Sequence, residues 1–225
     1  MCESEPNSGP YEIQEPDAQS LPRLWGQIAA RDSADELLDF MSAELLIEAT
    51  GRIRRRDEFH LAIAWTDRIA RYMERMMYDP GVRSFPWAQT HCWLLNDSST
   101  DDCYLRLRDI LVPHSGIPEA NLHGADERIE GPSFDYALLD VRADGHVGVI
   151  GEEVPESEVQ VPVQRINRSN FIALLAMGDG VQSRLQTLDE SDDSSPVTRL
   201  KSEEGTTRWY LCPTTPEQEA EPFED

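Results

Sequence analysis

The stretch of this chain whose residue types and order could do chemistry is Phe134–Gly148, F-D-Y-A-L-L-D-V-R-A-D-G-H-V-G. Phe134 to Val141 is a short, mostly apolar run, suited to a strand buried on both faces of a parallel sheet. Arg142-Ala143-Asp144-Gly145-His146 breaks that run, with Asp-Gly as the turn signal. A histidine therefore follows the carboxyl end of a central strand, where open α/β sheets bind their ligands. An imidazole titrates near pH ~6.5, so the chemistry offered there is proton transfer. The alternative is that Asp-Gly is only a turn and His146 a surface residue.

Composition sets the outer bounds. A chain of 225 residues fits one domain with a substantial core, here 23–212, between a mobile acidic leader (1–22) and an acidic tail (213–225). The leader is rich in Glu, Pro and Ser, and the tail in Pro, Glu and Thr. No apolar run approaches the ~20 residues that span a bilayer, and the start does not read as a signal peptide, so a cytoplasmic protein is expected. The formal charge of −23 argues against nucleic acid or an anionic membrane as partner, since both need a cationic footprint. Cys2, Cys92, Cys103 and Cys212 lie far apart, with no metal-ligand spacing, so neither disulfides nor a metal is indicated and no cofactor is implied. Lys201 is the only lysine; every other basic residue is arginine.

The elements that must position His146 can be read in order. Leu24–Ile28 suits an edge strand, and Ser33-Ala34-Asp35-Glu36 has capping-box form before a helix ending near Gly51 or running on through Arg56. Arg54-Arg55-Arg56 reads as a solvated helix end complementing the dipole rather than as a phosphate site. Phe59–Trp65 reads as a buried strand, Asp67–Met77 as the helix after it, and His91–Leu95 as a third strand. His60 reads as a core or edge residue, and His123 as a loop residue without a task. Tyr104, Leu107, Ile110 and Leu111 mark a helix, Asn170–Met177 a further strand and Arg208–Leu211 a last short one. Asp189–Ser195 reads as an exposed acidic loop. Alternating strands and helices predict an α/β fold, a mainly parallel sheet with helices on both faces.

From about Leu24 to Leu211 the order of segments resembles the 6-phosphogluconolactonases, relatives of glucosamine-6-phosphate deaminase with a ribose-5-phosphate-isomerase-like fold. The matching points are Phe59–Ala64, Phe85-Pro86-Trp87 before the third strand, Ile117-Pro118-Glu119-Ala120-Asn121-Leu122-His123, Asp135 to His146 against a D-x-x-L-L-G-x-G-x-D-G-H pattern, and Ile166-Asn167-Arg168. The resemblance implies hydrolysis of a phosphorylated sugar lactone, a step of the pentose phosphate pathway. His146 would then be the general acid–base, taking a proton from water and returning it to the leaving ring oxygen, with Asp144 shaping the turn or orienting the ring.

The departures concern the phosphate. The family's Gly-Gly-Ser-Thr-Pro loop, whose backbone N–H groups cradle phosphate, reads here Ala64-Trp65-Thr66-Asp67-Arg68. Its Asp-Glu-Arg is reduced to Asn96-Asp97-Ser98, its two glycines before D-G-H become Asp140 and Arg142, and its Gly-x-x-Lys turn becomes Gly178-Asp179-Gly180-Val181. Two functional readings follow. In one, Arg142, Arg68, Arg168 and the Thr66 hydroxyl rebuild an anion site and the chain is a lactone hydrolase; arginine binds phosphate bidentately and can replace lost backbone donors. In the other, the chain is a catalytically degenerate homologue, a pseudoenzyme with a binding or regulatory role and a protein partner. An acidic structural protein with no site is a third reading.

Overall fold

The computed structural model describes residues 22–95, 102–125, 133–143, 145–147, 162–188 and 195–216. The expected leader, nearly all of it, and most of the expected tail lie outside the described residues, as do Asp144, residues 96–101 and residues 189–194 of the acidic loop.

The elements run β1 (Gln27–Ala30), α1 (Ala34–Arg56), β2 (Phe59–Ile63), α2 (Asp67–Tyr78), β3 (Thr90–Leu94), α3 (Asp102–Ser115), β4 (Leu122–His123), β5 (Tyr136–Asp140), α4 (Val163–Asn167), β6 (Phe171–Met177), α5 (Asp179–Gln186) and β7 (Thr206–Cys212). They form a seven-stranded sheet in the order β1-β7-β6-β5-β2-β3-β4. Every strand pairing in it is parallel. The expected α/β architecture is thus observed, and the sheet is parallel throughout rather than mainly so.

Burial explains why the apolar runs became central strands. All seven residues of β6 and all five of β5 are buried. Alternate side chains pack into two cores. On one face Leu61, Ile63, Leu94, Leu138, Ala173 and Leu175 meet buried residues of α1, α2 and α3, among them Leu37, Met41, Ile69, Met73 and Leu107. On the other, Ala62, Leu139, Ile172, Leu174 and Trp209 meet Ile166 of α4 and Val181 and Leu185 of α5. On α2, Ile69, Ala70, Tyr72, Met73 and Met76 make the single buried stripe that a helix lying on a sheet requires.

Three features differ from the expectations. The last strand is longer than Arg208–Leu211 and lies inside the sheet between β1 and β6, because Trp209 to Cys212 are buried in turn on its two faces. The two-residue β4 and the short helices α4 and α5 carry too few apolar residues to announce themselves. Ser195, assigned to an exposed loop, is buried.

The topology fixes where a ligand would bind. From β5 the chain continues through β6 to β7 in one direction across the sheet, whereas β2, β3 and β4 proceed in the other. The winding therefore reverses between β5 and β2, and a ligand crevice is expected beside the carboxyl ends of those two strands.

Candidate functional site

Two chain segments leave the sheet at this crevice, and each brings a charge. After β2, Ala64 and Trp65 are buried and Thr66 caps α2 in an extended conformation, its hydroxyl accepting the Ile69 N–H at 3.2 Å. The same hydroxyl donates to Asp140 Oδ2 at 3.0 Å. Arg68, in the first turn of α2, donates from Nη1 to Asp140 Oδ1 at 2.5 Å and reaches the Met177 carbonyl with Nη2 at 3.5 Å. Asp140 ends β5 and is 4% exposed. Burial raises its carboxyl above the ordinary value, and Arg68, Thr66 and Arg142 offset that only in part. The positive end of the α2 dipole thus already faces an anion, and that anion belongs to the chain itself.

Beyond Asp140 the chain reverses at once. Val141 and Val147 form an antiparallel bridge. The Arg142 N–H donates to the His146 carbonyl and the Gly145 N–H to the Arg142 carbonyl, each at 2.9 Å. Gly145 has φ +81°, and a Cβ there would stand 3.2 Å from Ser195 Oγ and 3.8 Å from Arg184 Nε. The backbone angle favours glycine, and a Cβ there would crowd the Ser195 hydroxyl. His146 is half-buried at the end of this turn, and Ala143 packs near Gly180 at the start of α5.

The expected site residues are gathered only in part. Thr66 and Arg68 converge on Asp140, Arg142 lies close enough to act on its charge, and His146 closes the turn that Arg142 opens. Asp144 lies outside the described residues. Arg168 is a correction: it ends α4 just before β6, so in a parallel sheet it stands at the amino edge, opposite His146, and it is exposed. The expected grouping of Arg68, Arg142 and Arg168 around one anion is not formed, because β6 separates Arg168 from the crevice and Asp140 engages Arg68. Asp67 points outward, 3.7 Å from Arg106, whose guanidinium lies over the Trp65 ring at 5.8 Å.

Asp140 is the site residue that sequence reading missed; it registered only as a lost glycine. A signal was present, since one departure from the family pattern added a carboxylate and another an arginine. Pairing them needs the knowledge that β2 and β5 are neighbours. Ser195 and Arg184, which wall the turn, were also missed. Their segments carry no motif and lie about forty to fifty residues downstream. Among the described residues no His, Cys, Asp or Glu cluster could hold a metal ion. Burial pushes the Cys92 thiol up to about 12, which leaves it un-ionised and a poor nucleophile at neutral pH.

No family model matches the chain. Among curated proteins it is 22% identical over 228 residues to the human GDH/6PGL endoplasmic bifunctional protein, and 22% identical over 226 residues to the rabbit (Oryctolagus cuniculus) protein of the same name. The matches cover 79% of this chain and 28% of each relative, so the chain spans little more than a quarter of their length. Among solved structures it is similar to the 6-phosphogluconolactonase of Thermotoga maritima, with TM-score 0.67 and 19% identity over 83% of this chain and 99% of that one. The Trypanosoma brucei 6-phosphogluconolactonase gives TM-score 0.65 and 15% identity over 83% and 96%. A monomeric glucosamine-6-phosphate deaminase gives TM-score 0.62 and 14% identity over 83% and 97%. The fold is that of the 6-phosphogluconolactonases, and by structure and distant sequence similarity the chain is 6-phosphogluconolactonase-like. Among the described residues no helix is long and apolar enough to cross a membrane.

Proposed function

We propose that this chain, with the fold of the 6-phosphogluconolactonases, has given up the grip on a phosphorylated sugar lactone and acts as a binding or regulatory homologue in the cytoplasm. One observation carries the reading: Thr66 and Arg68, the donors at the start of α2, are hydrogen-bonded to the buried carboxylate of Asp140. A phosphate entering there would meet a like charge in a poorly solvated crevice, and its would-be donors are already engaged. Charge-assisted hydrogen bonds contribute ~1.5–3 kcal/mol each, so the loss of two or three lowers affinity by orders of magnitude. The only other expected arginine at this end, Arg142, is exposed.

The test is hydrolysis of freshly prepared 6-phosphogluconolactone by the purified chain, followed against the spontaneous reaction. The expected rate equals the blank, and a stoichiometric protein partner is retained on a column of wild-type chain and equally by His146→Ala. A rate above the blank that His146→Ala abolishes overturns the proposal.

A second reading has its own support, the half-buried His146 at the rim of the crevice. There the imidazole would take a proton from water as the oxygen bonds to the lactone carbonyl carbon. It would return that proton to the ring oxygen as the C–O bond breaks, which is lactone hydrolysis without a metal or a nucleophilic side chain. In this reading the substrate is a phosphorylated sugar lactone, and the same assay decides between the two.

A further inference from the structure

Away from the crevice, the second face of the sheet carries an array that the proposed function does not use. His60 on β2, His91 and Trp93 on β3 and His123 on β4 share one face near the outer edge. The His60 and His91 rings stack at 4.9 Å and 18°, and those of His91 and His123 at 5.4 Å and 10°. Trp93 stacks on His123 at 3.8 Å. The four rings are also hydrogen-bonded. Trp93 Nε1 donates to His60 Nδ1 at 3.0 Å, and His91 Nδ1 lies 3.1 Å from His123 Nε2.

These contacts dictate where protons sit. An indole N–H can only donate, so His60 Nδ1 must accept and its ring hydrogen lies on Nε2, 3.2 Å from Glu58 Oε1. An imidazolium at His60 would set one N–H against another. Between His91 and His123 one nitrogen must donate and the other accept; the contact tolerates one charged ring but not two. Burial, with the neighbouring His60 and His123, holds His91 below its ordinary value, against Glu58. Among the described residues, charges near the array also include Asp135, whose Oδ2 accepts the His60 N–H, Arg52 and Arg56 beside Asp135, and Arg165 over the Phe134 ring that packs on Trp93.

What the array holds is the shortest of the described strands. β4 has two residues and, among the described residues, pairs only with β3, at the end of the strand order. Its ties include the buried Leu122, the Tyr104 hydroxyl to the Leu122 carbonyl, Asn121 Nδ2 to the Thr90 carbonyl, and His123 to His91. We propose that the His60–His91–Trp93–His123 array is an acid-released clasp on this edge strand. It holds β4 while at most one of the two touching imidazoles is charged, and it releases β4 when the second takes a proton.

The test is amide hydrogen exchange across Asn121–Gly124 in the full chain at about pH 7.5 and about pH 5.5, either side of the ordinary imidazole value. After correction for the intrinsic pH dependence of exchange, protection of this segment is expected to fall about tenfold at the lower pH, while β5 and β6 keep theirs. His91→Gln keeps a polar partner for His123 but cannot be charged, and His123→Phe keeps the ring on Trp93 without a proton. Both are expected to flatten the response. Equal protection of the wild type at the two pH values overturns the clasp, and so does a wild-type response surviving in His91→Gln, the variant that decides if His123→Phe does not fold.

Discussion

Strand β5 has a buried carboxylate at each end, and the two are held differently. Asp135, at the amino end, is 2% exposed and accepts the backbone N–H of His60 at 3.0 Å and the Asn170 amide at 3.4 Å. Its arginines stand back, Arg52 at 3.5 Å and Arg56 at 3.9 Å. Asp140, at the carboxyl end, takes two side-chain donors, Arg68 and Thr66, and no backbone N–H among the described residues. The first ties β2, β5, β6 and α1 into one unit. The second lies where the winding of the sheet reverses and joins β5 to the start of α2. A buried charge bonded by backbone is scaffold; one held only by side chains at a switch point is, under the function proposed above, a site that has been closed.

The largest test of that contrast is Asp135→Ala. It leaves the His60 N–H without its acceptor and two cations beside an apolar gap, and is expected to lower unfolding free energy by about 3 kcal/mol, read as a urea midpoint shift at unchanged slope. Asp135→Asn, which keeps an acceptor, is expected to cost about half as much. A loss under about 1 kcal/mol would put the two carboxylates in one class.

Asp140 is expected to behave as half of a pair. Arg68→Ala leaves a buried carboxylate with one hydroxyl, and a double-mutant cycle with Asp140→Asn is expected to give a coupling of about 1–3 kcal/mol. The pH dependence has a definite sign. A carboxyl raised by burial binds its proton more tightly folded than unfolded. Its contribution is therefore most favourable in acid and is lost as pH rises from about 4 through the folded value. Asp140→Asn is expected to remove that decline. It also frees Thr66 and Arg68, so millimolar phosphate is expected to raise the melting temperature of Asp140→Asn and not of the wild type. A phosphate response in the wild type would mean that the crevice is open.

How much of this the sequence disclosed depends on the range of the interaction. The strands around Phe59–Ile63, Tyr136–Asp140 and Phe171–Met177 are legible because a strand buried on both faces is written in consecutive apolar residues. The turn holding His146 is legible because Asp-Gly is a local signal. The Arg68–Asp140 pair spans 72 positions and exists only because β2 and β5 are neighbours, which no local pattern encodes. Arg168 failed for the same reason: its segment matched a family motif, yet which edge of the sheet it occupies follows from its place before β6. His60 and His123 each read as unremarkable alone, and only parallel register stacks them with His91.

A smaller effect is expected at the turn. Gly145→Ala forces a side chain into a left-handed conformation and against Ser195 Oγ, and is expected to cost about 1–2 kcal/mol. If the same variant in an Asp140→Asn background leaves the phosphate response intact, the turn and the cradle are separate parts. Loss of that response would join them.

The smallest expected effect is also the sharpest check on which end of β5 is the site. Arg168 is exposed, ends a five-residue helix, and precedes β6 on the edge away from His146. Substitutions at such surface positions stay within about ±0.5 kcal/mol, so Arg168→Ala is expected to leave the urea midpoint unchanged. It is equally expected to leave the phosphate response of Asp140→Asn unchanged, because the length of β6 lies between the guanidinium and the α2 cap. Arg68→Ala in the same background is expected to abolish that response, since it removes the cation that would face the anion. If Arg168→Ala weakened phosphate binding as much as Arg68→Ala did, the two ends of the strand would have to share one ligand, and the division between a scaffold carboxylate and a site carboxylate would fall.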